Sequence, residues 1–124
     1  MISSFQSSPL NHADMPATVA EMMSQPLGGA ELRLRLIGKQ GWGLYRPPFS
    51  YDMRFEETGS LWGRNNYGTE DTGQWVIADN GEMTVSWRSY WDAHTTRVYA
   101  DGEVLHMFDT NTGNWRTSMI IPVE

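Results

Sequence analysis

After residue 42 this chain has no connection long enough to carry a parallel crossover. Glycine-marked turns recur at Thr58-Gly59, Thr72-Gly73, Asp79-Asn80-Gly81, Asp101-Gly102 and Thr112-Gly113. Three of these phrases run on to a tryptophan: Trp62, Trp75 or Trp115. Parallel neighbours need a crossover of about a dozen residues or more, whereas antiparallel neighbours need only a tight turn. The spacing therefore restricts the chain to antiparallel pairing.

The stretches between the turns read as strands. Phe49, Tyr51, Met53 and Phe55 alternate without a break with Ser50, Asp52 and Arg54, the period of a strand with one buried face. Trp42–Arg46, Leu61–Asn66, Gly73–Asp79, Glu82–Trp91, Thr95–Ala100, Glu103–Asp109 and Asn114–Val123 complete a set of eight with Phe49–Phe55. Such a meander loses its exposed edges by closing on itself. The expected fold class is all-β: an antiparallel eight-stranded meander closing into a small barrel, or a strongly curved sheet, with one short N-terminal helix.

Residues 1–14, rich in Ser, Gln, Asn and Pro, are expected as a flexible arm in which Phe5 or Leu10 docks. Residues 15–124 form a single barrel domain. Asp14 as cap, Pro16 in the first turn and Val19, Met22 and Met23 at helical spacing put the helix near residues 15–25. Ala30–Ile37 stays open between a strand, from the alternation of Leu32, Leu34 and Leu36, and a short helix.

Alternation sorts the two faces. The interior collects Phe49, Tyr51, Met53, Phe55, Leu61, Trp75, Ile77, Met83, Val85, Trp87, Val98, Trp115, Met119 and Ile121. The other face collects Asp52, Arg54, Glu56, Arg64, Thr84, Ser86, Arg88, Arg97, Arg116 and Ser118, with the arginines expected in cross-strand ion pairs. Between residues 103 and 109 the facing stays open, since Leu105 and Met107 oppose Val104, His106 and Phe108.

The chain holds six Trp, five Tyr, four Phe and eight Met, many for its size. Wide and adaptable side chains suit a barrel interior, which at eight strands is either filled or holds one small ligand. The candidate ligand-binding residues are Trp42, Tyr51, Met53, Trp75, Met83, Trp87, Met107 and Trp115. Tyr51 and His106 are the candidate acid–base groups. No cysteine is present, and pairing Asp92 with His94 or Asp109 with His106 gives two ligands at best, so neither a metal nor another cofactor is expected. No nucleophile elbow, phosphate loop or dinucleotide fingerprint occurs.

A net charge of −6 argues against a nucleic-acid or anionic membrane surface. Residues 1–25 lack a basic start and an unbroken apolar run. The expected location is the cytoplasm, with export only if a signal peptide has been removed. Homodimerisation stays open.

Phe55-x-x-x-Gly59, Asp71-Thr72-Gly73-x-Trp75-x-Ile77, Asn80-Gly81-x-Met83-x-Val85-x-Trp87, Arg97-Val98-Tyr99 and Asp101-Gly102 together resemble a pattern in small uncharacterised bacterial β-domains of calycin-like (lipocalin-like) shape. The resemblance covers about half the chain, is carried by turn and core residues, and implies a barrel with no particular activity. Such domains often carry cysteines where Met83 or Thr84 stands and near Thr96, positions that are not cysteine here. The design is also similar to small barrel cyclases of natural-product pathways.

Three functions fit. The first is binding of a small apolar or aromatic molecule in a barrel cavity. The second is a cyclase or isomerase acting by confinement in the same cavity, since orientation alone lowers barriers. The third is a filled barrel that acts as a protein-interaction module. A connected cavity of about 300 Å³ or more separates the first two from the third.

Overall fold

The computed structural model describes residues 10–122. Its eight strands are β1 (Gln40–Leu44), β2 (Ser50–Phe55), β3 (Ser60–Asn65), β4 (Glu70–Ile77), β5 (Met83–Trp87), β6 (His94–Asp101), β7 (Val104–Asp109) and β8 (Trp115–Ile120). Each pairs antiparallel with the next, and β8 returns to β1 to close a barrel. The closing register sets Trp42 against Ile120, Gly43 against Met119 and Leu44 against Ser118. The closed meander agrees with the turn spacing.

The helix lies elsewhere than expected. Residues 15–25 contain only a short 3-10 turn, Val19–Glu21, and Met23 stands almost fully exposed. This stretch spends its backbone on the barrel instead. The Val19 N–H reaches the Gly113 carbonyl at 2.8 Å, and the Trp115 N–H reaches the Ala17 carbonyl at 2.8 Å. Those external bonds replace the ones a helix would make within itself. Leu10 is buried, while Phe5 and the rest of residues 1–9 lie outside the described residues.

The open segment resolves as a helix, α1 (Gly29–Leu36). Leu32 and Leu36, one turn apart, are fully buried, and Leu34 is exposed. A strand would have put all three on one side. Helix α1 plugs one barrel end. Arg33 Nη2 donates to the Ile77 carbonyl at 2.9 Å, and Arg35 Nη2 to the Gly102 carbonyl at 2.7 Å. Gly29 abuts the turn after β4, where a Cβ would lie 2.6 Å from the Ala78 carbonyl oxygen.

Above the plug the interior is filled. Leu32, Leu36, Phe55, Leu61, Trp75, Ile77, Met83, Leu105, Met107, Met119 and Ile121 share one core. Trp75 meets Phe55 edge to face at 5.5 Å, and its indole N–H donates to the Glu56 carbonyl at 3.1 Å. Leu27 enters the same core where β5 and β6 part, its N–H taking the Val98 carbonyl at 2.8 Å.

On β7, Leu105 and Met107 join this core while His106 and Phe108 take the outer side. Those outer residues are nevertheless buried, as is Ser118. His106 Nδ1 lies 2.6 Å from Ser118 Oγ, and the Trp115 indole N–H donates to the same oxygen at 2.8 Å. Trp115 therefore belongs to the outer cluster, not the interior. The cause is a register shift: Thr117 pairs with Met107, but Trp115 pairs with Phe108. One extra residue, Arg116, interrupts the alternation.

The arginines form fewer cross-strand pairs than expected. Among the described residues Arg54 pairs with Glu56, just past the end of its own strand, at 2.5 Å, and Arg97 reaches Glu82 at 3.7 Å. Arg54 also covers the Trp62 ring, 4.9 Å from its centroid.

Candidate functional site

The barrel end opposite α1 carries the β1–β2, β3–β4, β5–β6 and β7–β8 connections. A cavity of about 230 Å³ opens there. Tyr51 and Met53 of β2, Gly63 of β3, Trp87 of β5, His94 of β6 and Thr117 of β8 line it, with Trp91 from the loop after β5. The connections add Tyr45, Arg46, Phe49 and Tyr90. The volume lies below the 300 Å³ mark, so size alone does not set the two cavity functions above the interaction module; it suits a ligand smaller than those held in pockets of about 300–1,000 Å³.

Glycine makes the room. A Cβ on Gly63 would lie 2.8 Å from Trp87 Cη2 and 3.1 Å from Trp91 Cζ3. The two indoles meet edge to face, with centroids 4.7 Å apart and planes at 87°. This is a favoured aromatic geometry. Gly43 does the same for Tyr51: a Cβ there would lie 2.6 Å from the phenol Cζ.

The loop that carries Tyr90 and Trp91 is held by Asp71, a buried carboxylate on β4. Asp71 accepts the N–H groups of Thr72 at 2.8 Å and Ser89 at 3.1 Å, as well as that of Tyr90. Burial by itself raises the Asp71 carboxyl. The N–H groups of Tyr90, Ser89, Thr72 and Trp91 outweigh it and hold the group below the usual carboxylate range.

Tyr51 hydrogen-bonds Thr117 Oγ1, and Thr117 in turn donates to the Leu44 carbonyl at 2.6 Å. Because the Thr117 proton is already given to Leu44, the Tyr51 hydroxyl must donate to Thr117. Burial pushes the phenol well above the ordinary tyrosine range, against the smaller opposing effect of Thr117. Tyr51 thus offers the cavity an acceptor lone pair and no free proton.

His94 lies across the site, its Nδ1 3.3 Å from the Asp92 carbonyl. Burial, and then the charge of Arg116, push its imidazole below the ordinary range, so it is neutral at neutral pH.

Of the sequence candidates, Tyr51, Met53 and Trp87 meet in the cavity. Trp75, Met83 and Met107 sit in the packed core beneath it. Trp42 points outward, because the neighbouring Gly41 and Gly43 are the positions that face Met119 and Tyr51. Trp115 lies in the outer cluster for the register reason given above. His106 shares that outer cluster and does not line the cavity.

Sequence reasoning assigned no ligand contact to Tyr45, Gly63, Tyr90, Trp91, His94 or Arg116. Most of these stand in or beside connections, where the two-residue period carries no information. Only the aromatic density of Tyr90-Trp91 before Asp92 was a usable signal.

A second hollow, about 650 Å³, runs over the outer face between Arg54, Trp62, Gln74 and Arg88. It is a polar surface trough rather than part of the barrel interior. Among the described residues no group of three or more His, Asp or Glu side chains converges as a metal site, and no helix is long and apolar enough to cross a membrane. No family model matches the chain, and comparison with curated proteins finds no match.

Proposed function

We propose that the protein binds a small apolar or aromatic molecule in the cavity at the open end of the barrel. One observation carries the reading: the Trp87–Trp91 pair, seated directly on Gly63, forms an aromatic wall of the open cavity. The wall has the composition of a ligand site, mostly apolar and aromatic with a few polar groups. The size favours a ligand of one or two rings.

The cyclase or isomerase alternative uses the same cavity but loses its two candidate groups. His106 is on the outer side, and the Tyr51 proton is committed to Thr117. Confinement alone would have to carry such a reaction.

Indole and toluene are suitable probes. Titrated into nitrogen-labelled protein, either one is expected to give saturable shifts centred on Gly63, Trp87 and Trp91. Trp87→Ala should weaken that binding at least tenfold while the barrel stays folded. No saturable shift with either probe, or shifts confined to the outer face, would overturn the reading.

A further inference from the structure

We propose that the cavity's ligand is a small aromatic carboxylate, its ring against Trp87 and Trp91 and its carboxylate on Arg116. The inference rests on the reading of this cavity as a ligand site.

Arg116 is the residue that the β7–β8 register shift inserts. Thr117 pairs with Met107 and Trp115 with Phe108, leaving Arg116 without a cross-strand partner. Bulges re-aim side chains and occur beside binding sites. Here the effect is to bring an arginine from the outer face to the cavity wall.

One nitrogen of the Arg116 guanidinium is left unsatisfied. Among the described residues its Nε is buried with no hydrogen-bond partner, and no ion pair reaches the side chain. Native structures leave few such groups unpaired, and each calls for an explanation. Asp92 also lines the cavity, yet it is exposed and forms no ion pair with Arg116.

A carboxylate is the planar, two-oxygen partner that a guanidinium edge takes best. Because Nε is shut off from water, a modest turn of the guanidinium would accompany a bidentate contact. His94 adds no competing charge, being neutral beside Arg116. An aromatic ring on the same molecule would lie in the open cavity against the Trp87 and Trp91 indoles. Both ends of the cavity wall are then used by one ligand.

Cinnamate and its neutral isostere cinnamamide form the test, measured by calorimetry at neutral pH on the whole chain. The wild type is expected to bind cinnamate at least tenfold more tightly. Arg116→Gln should remove that preference and leave cinnamamide binding unchanged. Arg116→Lys, which keeps the charge without the planar fork, should retain only part of it. Equal binding of both probes by the wild type, or a preference that survives in Arg116→Gln, would overturn the inference while leaving the cavity reading intact. Should Arg116→Gln not fold, the wild-type ratio and the Arg116→Lys ratio decide. Failure of both probes, together with indole and toluene, overturns both readings.

Discussion

The Asp71 carboxylate accepts the Tyr90 backbone N–H at 2.7 Å, and so ties β4 to the loop that forms the cavity's wall. This single residue couples the strand ladder to the shape of the site. Asp71→Asn keeps the volume and loses the charge that gathers the loop and strand N–H groups. The expected cost is about 1–3 kcal/mol, read as a lower urea midpoint at neutral pH, with indole binding weakened further than folding.

Acid should erase the difference. The folded Asp71 carboxyl lies below its ordinary value. Its stabilisation is fully present above the unfolded carboxylate range and is lost as pH falls through the folded value. Wild type and Asp71→Asn should therefore converge at strongly acid pH. A gap that stays constant down to that range would show that the carboxylate charge is not what holds the loop.

His106 and His94 both lie below the ordinary imidazole range, in each case chiefly through burial. A depressed folded value means stability that is complete above the unfolded value, about 6.5, and lost as pH falls through the folded value. The melting temperature should decline from pH 7.5 to 5.5. His106→Gln should flatten that decline, because it removes the buried group beside Ser118 and Trp115. An equally steep decline in His106→Gln would assign the effect elsewhere.

Gly63→Ala should fold and lose the site. The new methyl would sit 2.8 Å from Trp87 and 3.1 Å from Trp91. Overpacking of this kind costs about 1–3 kcal/mol. Near-ultraviolet circular dichroism should report the displaced indoles, and indole should no longer bind. An unchanged spectrum with retained binding would show that the wall yields without cost.

Trp75 and Trp87 should behave differently. Trp75 is buried between Phe55 and the Glu56 carbonyl, so Trp75→Ala should cost about 3–5 kcal/mol. Trp87 borders open space and is only half-buried, so Trp87→Ala should cost less stability and more binding. Denaturant midpoints compared with indole affinities test this pairing. Equal losses of stability would place both rings in the same packed core.

Tyr51→Phe separates structure from chemistry. It removes one hydrogen bond but leaves Thr117 bonded to Leu44, an expected cost of about 0.5–1.5 kcal/mol. In wild type the buried Tyr51 phenol should resist ionisation in an alkaline ultraviolet titration, so wild type and Tyr51→Phe should show the same absorbance change until the protein unfolds. Its stabilisation is present below the unfolded value and lost as pH rises toward the folded one. Ionisation of all five tyrosines within the ordinary range, without unfolding, would contradict the burial of this hydroxyl.

The sequence by itself determined an antiparallel eight-stranded meander, and the tertiary structure decided that β8 closes it on β1. Turns too short for crossovers forced antiparallel pairing, and unbroken alternation from Phe49 to Phe55 told which side of β2 faces in. Both are local signals, set by backbone sterics and a period of two. Tertiary structure decided what local signals leave degenerate. The leucines of Ala30–Ile37 fit a strand or a helix, and burial against the barrel end chose the helix. Residues 15–25 had a helical face, but the backbone of Gly113 and Trp115 offered bonds that drew them out along the barrel. Trp115 and Arg116 exchanged their expected roles because one extra residue in β8 slips the register, and a slip of one residue reverses the facing of a strand. The candidate site suffered most from this, since its loop residues and its arginine owe their positions to contacts that only the closed barrel makes.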